Sequence, residues 1–359
     1  MALAWAGLYR GRRLDTTIFL FLLQDGVTNG AVYALLGLAL VLAFAVTRVI
    51  LIPQGEFVTF GALTYATLAT GKLPGTVWLV ALMGAAAFVF DMWSMRLSLR
   101  LGPVLRSAIL YLLLPLAILL IARTLISSQI DPFLNVILSL IIVAPIGPYL
   151  YRIAFQPMAE ASVLTLLIAS VGAHFALLGL GLVFFGAEGL RGPALSDASL
   201  VMGPVPVTGQ SLAVYAVTAG LIVILWLFFG YSLYGKALRA TAVNRIGARL
   251  SGIRTSLSGQ LAFLLAAIIG AISGILIVPI TTIYYDTGFL IGLKGFVAAI
   301  IGGLISYPLT AAAALLVGCV EAFSSFYASN YKEAIVFTLL LPVLLLRSLA
   351  APSVEEEHD

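Results

Sequence analysis

Apolar residues occur along this chain in long continuous runs, separated by short polar stretches. A hydrocarbon core of ~30 Å requires roughly 20 apolar residues per helix, and backbone groups in lipid must be satisfied within helices or closed barrels. Because the runs do not alternate with polar residues, they favour helices over barrel strands. The pattern predicts an all-α, polytopic transmembrane helical bundle with about 10 or 11 spans, at residues 17–48, 55–70, 77–95, 104–122, 133–151, 162–186, 212–231, 257–285, 288–305, 309–325 and 332–347.

The first run, residues 17–48, is too long for one simple crossing at about 1.5 Å per residue. Gly26, Gly30 and Gly37 lie within it and could break a helix. Three arginines at residues 10–13 precede the run, and two crossings would leave them on the cytoplasmic side. We therefore favour two crossings, or a broken helix, in this region.

Composition supports a membrane protein. Hydrophobic residues make up 62% of the 359 residues and charged residues only 9%, whereas a soluble domain carries about 25% charged residues. The formal net charge of +4 does not indicate nucleic-acid binding, because the basic residues are dispersed at the ends of the spans. Cys319 is the single cysteine and cannot form an internal disulfide.

The basic loops predict the orientation. Residues 231–256 contain five basic residues and no acidic one, which places them in the cytoplasm by the positive-inside rule. Residues 187–210 have no excess of positive charge and should lie outside. Counting along the spans also places the C-terminal tail inside, together with Arg96, Arg100, Arg106 and Arg152. The tail is short and acidic, and we expect it to be disordered.

The cytoplasmic segment has the periodicity of a short amphipathic helix. Apolar or small residues recur at every fourth position and would share one face, at Leu238, Ala242, Ile246 and Leu250. Basic residues fall largely elsewhere, and Gly252 is a plausible terminator of the helix. From these residues alone, an ordinary basic loop that follows the positive-inside rule is an equally good interpretation.

The order of several blocks resembles the branched-chain amino acid ABC importer permease family. The segment resembles that family's coupling loop at Gly235, Ala237, Arg239, Ala240, Ala242, Asn244, Ala248, Leu250, Gly252 and Ile253. Further blocks resemble the family's first span, its arginine–proline stretch, its glycine-rich late segment and the stretch before its last span, at residues 29–35, 151–157, 288–303 and 321–333. The resemblance covers most of the chain.

Two departures from the family pattern stand out. Where the family has Asn-Phe-Ala-His-Gly-Glu after its first span, this chain retains only the final Gly55 and Glu56, which leaves the substrate open. The distance from this block to Tyr151 leaves room for roughly two extra spans. We therefore predict one transmembrane permease domain over residues 1–359, with an inserted helix pair within 77–122 and a cytoplasmic coupling loop at 232–256.

The resemblance implies a subunit of an ATP-driven importer in the bacterial inner membrane. Its partners would be a second homologous permease, two ATPase subunits, an external solute-binding protein and the lipid bilayer, and no nucleic acid. The solute would be a branched-chain amino acid or a related small amide or carboxylate. ATP and magnesium would be bound by the ATPases, so no cofactor is expected in this chain. The coupling residues would be Lys236, Leu238, Arg239, Ala242, Asn244, Arg245, Ile246, Leu250 and Gly252.

Ionisable groups within spans are costly and usually face the bundle interior. We predict broken or re-entrant helices near 51–57 and 286–304, whose exposed ends could bind a zwitterion. The candidate pathway residues are Asn29, Tyr33, Gln54, Gly55, Glu56, Lys294, Gly295 and Phe296. Glu56 could equally be interfacial, and Lys294 could snorkel to the interface. For three other groups, interhelical or packing hydrogen bonds are the favoured interpretation: Asp91, His174 and Glu321.

Two other function classes stay open. A stand-alone secondary transporter or channel would use Glu56, Asp91 or His174 in ion coupling, and a membrane scaffold would use the basic segment only for docking. An enzyme is not indicated, because the sequence lacks zinc-binding spacings and a nucleophile elbow. Residues 230–237 approach a Walker A motif, but Ala237 stands where Ser or Thr would bind magnesium. We predict no catalytic residue and no metal site.

Overall fold

The computed structural model describes residues 16–95, 101–126, 131–196, 198–202 and 205–350. The predictions for the arginines at residues 10–13, for Arg96 and Arg100, and for the acidic tail beyond residue 350 lie outside the described residues. Within them, the chain forms a bundle of helices with one small β-hairpin.

The helices in chain order are α1 Thr16–Thr47, α2 Gln54–Ala69, α3 Thr76–Met95, α4 Leu101–Ile126, α5 Pro132–Met158, α6 Val163–Phe185, α7 Gly209–Tyr231, α8 Leu233–Val243, α9 Arg245–Leu250, α10 Thr255–Ile277, α11 Thr287–Ile301, α12 Tyr307–Ala328, α13 Lys332–Thr338 and α14 Leu340–Ala350. Strands β1 Ser199–Met202 and β2 Val205–Thr208 pair antiparallel in the connection before α7. This hairpin lies in the connection that the sequence predicts to be external.

Eight helical segments of the described residues are long and apolar enough to cross a bilayer. They are α1, α3, α4, α5, α6, α7, α10 and the segment Tyr307–Leu346, which contains α12, α13 and most of α14. Helix α2 has 16 residues and α11 has 15, so each is shorter than the roughly 20 residues of a full crossing. The predicted polytopic helical bundle is confirmed, and the two short helices coincide with the predicted breaks.

Helix α1 is continuous over 32 residues, so the prediction that the first apolar run crosses twice or breaks is wrong. Its glycines are contact points rather than breaks. A methyl group added at Gly26 would lie 2.7 Å from the Cys319 Cα, and one at Gly30 would lie 2.8 Å from the Leu315 Cα. Because glycine lets two backbones approach closely, α1 packs tightly against the antiparallel helix α12 at these positions.

Two further predicted spans differ from the structure. Helix α10 ends at Ile277, and residues 278–286 form turns in which Ile283 exchanges two backbone hydrogen bonds with Leu190, each of 2.9 Å. The last predicted span is divided between α13 and α14. The chain also reverses direction after α12. The evidence is that the Lys294 ammonium contacts both Glu321 on α12 and Glu333 on α13. Twelve residues of a straight helix would separate these two carboxylates by about 18 Å.

Charged residues at the two ends of the bundle agree with the predicted orientation. At one end, Arg245 donates to the Ala159 carbonyl at 2.9 Å and Arg249 pairs with Glu160 at 2.7 Å, which joins α8 and α9 to the α5–α6 connection. The Leu190–Ile283 bridge and the hairpin lie at the other end. We call the first end the cytoplasmic side, as the positive-inside rule predicts.

The residues predicted to form an inserted pair lie on α3 and α4, and their being an insertion stays a prediction. Helix α4 packs against α3 and α5 and presents most of its side chains outward. A methyl group at Gly84 would lie 2.4 Å from the Tyr111 carbonyl oxygen, so the two helices are in close contact. Asp91 holds the cytoplasmic end of the pair, because it accepts from Ser107 at 2.5 Å and pairs with Arg152. Helix α4 therefore lies at the margin of the described bundle.

Candidate functional site

Helix α2 begins inside the bundle rather than at its surface. Helix α1 ends where Arg48 adopts a φ of 60°, and the chain then returns along α1, so that Leu51 and Leu40 line the same small apolar void. The Gln54 side-chain amide donates to the Ala266 carbonyl at 3.0 Å, about halfway along α10. The first turn of α2, with the partial positive charge of a helix N-terminus, therefore lies at mid-depth.

Three glycines bring α11 against this first turn. A methyl group at Gly55 would lie 2.3 Å from the Gly288 carbonyl oxygen, and one at Gly292 would lie 2.8 Å from the Gly55 Cα. The Gly288 N–H also donates to the Thr59 hydroxyl at 3.0 Å. The predicted pathway residue Gly55 thus contacts a neighbouring helix directly, and its role in this structure is close packing.

Glu56 lies in the interior, with 2% of its surface exposed, so the interfacial alternative is wrong. One carboxylate oxygen lies 2.7 Å from Nδ1 of His174, whose ring stacks on Phe289 at 4.4 Å between centroids. The other carboxylate oxygen, Oε2, is buried with no partner among the described residues. A buried acid with one unpartnered oxygen can receive one further hydrogen-bond donor.

Lys294 belongs to a second buried cluster, and the snorkelling alternative is wrong because only 5% of the residue is exposed. Its ammonium lies 2.5 Å from a carboxylate oxygen of Glu321 and 3.2 Å from one of Glu333. The Tyr33 hydroxyl donates to the other oxygen of Glu321 at 2.5 Å. Because two carboxylates already surround the ammonium, its charge is neutralised within the protein.

The remaining predicted pathway residues take different positions. Gly295 lies against α1, where a methyl group would come within 2.6 Å of the Leu36 Cβ. Phe296 is half-buried beside the small apolar void, and Asn29 is half-buried on α1. The sequence-predicted residues are therefore not gathered around one open cavity.

Helix α11 joins the two ionisable clusters. Its first turns provide Gly288 and Phe289 to the surroundings of Glu56, and its later turn provides Lys294 to the second cluster. Charged groups inside a membrane protein are costly unless they are paired, and they commonly mark functional regions. A short helix that starts within the bundle and contacts both clusters would couple their positions when it moves.

The predicted coupling segment is not one amphipathic helix. It forms α8 and α9, which are separated at Asn244, where the backbone is extended and the side chain accepts from the Gly247 N–H at 2.9 Å. Leu238 is fully buried, whereas Ile246 and Leu250 are 72% and 85% exposed. The four-residue periodicity therefore does not define one buried face, because the break rotates the second half.

The other predicted coupling residues lie mostly on the surface. Lys236, Arg239 and Ala242 are exposed, and Arg245 is half-buried against the α5–α6 connection. Gly252 has a φ of 82° and follows α9, as predicted for a terminator. The hydrogen bond from Arg249 lowers the pKa of the Glu160 carboxyl below its ordinary value, because it stabilises the charged form.

Sequence analysis did not identify two acidic partners. Glu333 faces Lys294, and Glu160 faces Arg249. Glu333 carries a usable signal, since it is an acid beside an apolar run and such groups usually have a partner. Glu160 carries none, because an exposed loop acid has no distinctive pattern. The predicted interhelical hydrogen bonds of Asp91, His174 and Glu321 are present.

Comparisons with known proteins identify relatives that align with nearly the whole chain. The high-affinity branched-chain amino acid transport system permease protein LivH of Escherichia coli (strain K12) is 26% identical over 354 residues, covering 94% of this chain and 98% of the relative. LivH of Salmonella typhimurium matches equally. The corresponding permease protein BraD of Pseudomonas aeruginosa is 29% identical over 228 residues, covering 61% of this chain and 74% of the relative.

Among solved structures, PsaBC from Streptococcus pneumoniae in complex with Fab matches 93% of this chain and 94% of its own, with 11% identity and a TM-score of 0.37. The family profile described as branched-chain amino acid transport system, permease component, matches residues 22–344. That span contains most of the first and last long apolar segments, all of those between them, and both buried clusters. The chain therefore belongs to the family of permease components of branched-chain amino acid transport systems.

Proposed function

We propose that this chain is the permease subunit of an ATP-driven importer that moves branched-chain amino acids, or a related small amide or carboxylate, across the bacterial inner membrane. The relatives LivH and BraD are described as permease proteins of high-affinity branched-chain amino acid transport systems, which supports the proposal. In this proposal, a second homologous permease completes the pathway, two ATPase subunits bind ATP and magnesium, and an external binding protein delivers the solute.

The observation that carries the proposal is the cytoplasmic surface of α8 and α9. Large apolar side chains there are exposed beside free basic groups, with Val243 88% exposed, and a cleft of ≈ 600 Å³ lies between them. Contiguous apolar surface rimmed by polar residues is typical of a protein interface. Lys236 and Arg239 line the cleft and would contribute electrostatic complementarity to an ATPase subunit.

A force applied to this surface would be transmitted into the bundle through direct side-chain contacts. Leu238 forms one buried cluster with Leu42 of α1 and Ala262 of α10, and the Thr241 hydroxyl donates to Ser258 of α10 at 3.1 Å. Helix α1 carries Tyr33, and α10 holds Gln54 through Ala266. Movement of α8 would therefore displace the elements that position both buried clusters, as in rigid-body switching.

Co-purification with the ATPase subunits tests the proposed docking surface. Ile246→Asp and Val243→Asp each place a charge in the apolar part of the surface, and we expect ATPase recovery to fall at least tenfold because an interface centre tolerates few unpaired charges. Leu200→Asp is the matched control, since Leu200 is 53% exposed on the hairpin at the opposite end. Full ATPase recovery with both cytoplasmic variants would rule out docking on this surface.

Uptake measurements test the proposed pathway. The unpartnered Oε2 of Glu56 lies beside the first turn of α2 and could receive the ammonium group of an amino acid. We expect Glu56→Gln to reduce uptake at least tenfold while ATPase recovery is unchanged, because a carboxylate–ammonium contact is lost. The control Glu160→Gln changes an exposed acid at the cytoplasmic side. Normal uptake with Glu56→Gln would exclude Glu56 from solute binding.

A stand-alone ion-coupled transporter or channel is the second candidate function. The two buried ionisable clusters favour it, because such groups also serve as ion or proton relays in transporters. Reconstitution of the purified chain in liposomes separates the candidates. Solute uptake driven by an ion gradient, without ATPase subunits, would support the second candidate. Uptake only with ATPase subunits and ATP would support the first.

A further inference from the structure

A polar cavity lies at the cytoplasmic side, between the marginal helices and the bundle. Its volume is ≈ 500 Å³, and its lining residues come from the end of α3, from α4, from the end of α5 and from the start of α10. Arg106, Arg152 and Arg254 line it together with one acid, Asp91. No residue of α2 or α11 lines this cavity, so it is separate from the two buried clusters of the candidate pathway.

The cavity has unneutralised positive charge. Asp91 is occupied by Arg152 and Ser107. Arg106 and Arg254 are exposed, and neither side chain makes an ion pair or hydrogen bond within the part of the chain that the structure describes. Two exposed guanidinium groups therefore line a cavity whose single acid is already paired, and guanidinium groups are suited to bidentate binding of a phosphate.

The cavity is open to the lipid-facing surface of α4. Leu110 lines it and is 41% exposed, and Leu105, next to Arg106, is 59% exposed. Acyl chains could therefore lie against these leucines while a headgroup enters among the arginines. Basic pockets between transmembrane helices on the cytoplasmic side bind anionic headgroups.

We infer that this cavity binds the phosphate of an anionic phospholipid from the cytoplasmic leaflet, with Arg106 and Arg254 as its ligands. Ser107 and Gln260, which also line the cavity, offer further donors to the headgroup. The bound lipid would fill the space between the marginal helices and α10. The inference is independent of the proposed transport function, since it concerns lipid binding alone.

Native mass spectrometry of the full chain in neutral detergent tests this inference. We would titrate phosphatidylglycerol and, separately, phosphatidylcholine with the same acyl chains. We expect one phosphatidylglycerol to bind more tightly than phosphatidylcholine. The double variant Arg106→Gln with Arg254→Gln should weaken phosphatidylglycerol binding on the order of 30-fold, at about one tenfold step per 1.4 kcal/mol and about 1 kcal/mol per basic residue.

The matched control removes two positive charges elsewhere on the cytoplasmic side. Lys236→Gln with Arg239→Gln lies outside the cavity and should leave phosphatidylglycerol affinity unchanged. If the double arginine variant does not fold, Arg106→Gln is measured alone, because that exposed side chain bonds to no other described residue. A loss of about fivefold is then expected.

Three outcomes would overturn the inference. The first is equal phosphatidylglycerol affinity in the parent and the arginine variants, and the second is an equal loss in the control pair. The third is displacement of the lipid by millimolar inorganic phosphate or ATP with arginine-dependent binding of that anion, which would assign the cavity to a soluble phosphate instead.

Discussion

Helices α1 and α4 have nearly the same mean hydropathy but opposite positions in the bundle. In their most apolar stretches, 89% of the residues of α1 are buried and only 22% of those of α4. Hydropathy therefore selects both as membrane helices without deciding which one is central. In lipid the difference must come from packing, because lipid chains are as apolar as leucine.

The difference in burial between α1 and α4 is accompanied by a difference in how their small residues pack. Gly26, Gly30 and Gly37 of α1 each have backbone or side-chain atoms of a neighbour where a methyl group would be, whereas a methyl group at Gly102 of α4 meets no atom of the described residues within 4 Å. The central helix also carries Tyr33 into the Lys294 cluster. Close backbone approach and a shared polar cluster together fix α1 at the centre.

The largest expected effect comes from removing the central cation. Lys294→Met leaves the buried Glu321 and the half-buried Glu333 without their cationic partner, and we expect the free energy of unfolding to fall by about 3–5 kcal/mol. Unfolding in mixed detergent micelles measures this change. Adding Glu321→Gln to Lys294→Met should restore part of the loss. If Lys294→Met unfolds like the parent, the cluster does not contribute to the stability of the centre.

Truncating a buried leucine of α8 that packs against the cytoplasmic end of α1 should have the next largest effect. Leu238→Ala removes a fully buried side chain from its cluster with Leu42 and Val46, and we expect a loss of about 3 kcal/mol. Leu105→Ala is the matched control on lipid-facing α4 and should change stability by less than about 0.5 kcal/mol. Equal effects in the same unfolding assay would contradict the difference between centre and margin.

Adding one methyl group to each helix compares their packing directly. Gly30→Ala introduces a contact with backbone atoms of α12 and should destabilise the protein by about 2 kcal/mol. Gly102→Ala meets no atom of the residues that the structure describes within 4 Å and should be neutral, or stabilising by up to about 1 kcal/mol through helix propensity. Thermal unfolding of the two variants distinguishes the helices. A stable Gly30→Ala protein would show that α1 and α12 can separate without cost.

The smallest effect is expected at the exposed Arg249–Glu160 pair. Its contact lowers the pKa of Glu160 from the ordinary value of 4.5, so its stabilisation is complete above pH 4.5 and disappears as the pH falls through the lowered folded pKa. At neutral pH, Arg249→Gln should leave the melting temperature nearly unchanged, since exposed pairs contribute little. Carbon-13 NMR titration of Glu160 should show its pKa return toward 4.5 in that variant.

Sequence patterns predicted the membrane helices well because hydrophobic burial in lipid depends on composition and length. They also located the breaks near α2 and α11 through Pro53, Gly55 and the late glycines. They were wrong on α1 and on the coupling segment for related reasons. A glycine can interrupt a helix or allow it to pack closely against another helix. Likewise, Asn244 can lie within a helix or cap the start of a new one. Only the contacts with other segments of the same chain decide between these roles.

Candidate site residues were predicted as individual groups and not as clusters. Glu56, His174, Tyr33, Lys294 and Glu321 were each noted as intramembrane polar residues. Their pairing depends on contacts between positions separated by 118 and 288 residues in the chain. Local periodicity carries no information on such distances, and for this reason the role of Lys294 stayed open between carboxylate binding and snorkelling.

The sequence by itself determined that the chain spans a membrane as helices, where most of those helices lie along the chain, and which loops carry the positive charge. These properties follow from local composition, because each apolar segment must satisfy its own backbone in lipid. The tertiary structure decided which apolar helix is central, which acid meets which base, and which side of the basic segment is exposed. Those outcomes depend on close approach between distant segments, where a single methyl group or one unpaired charge changes the free energy.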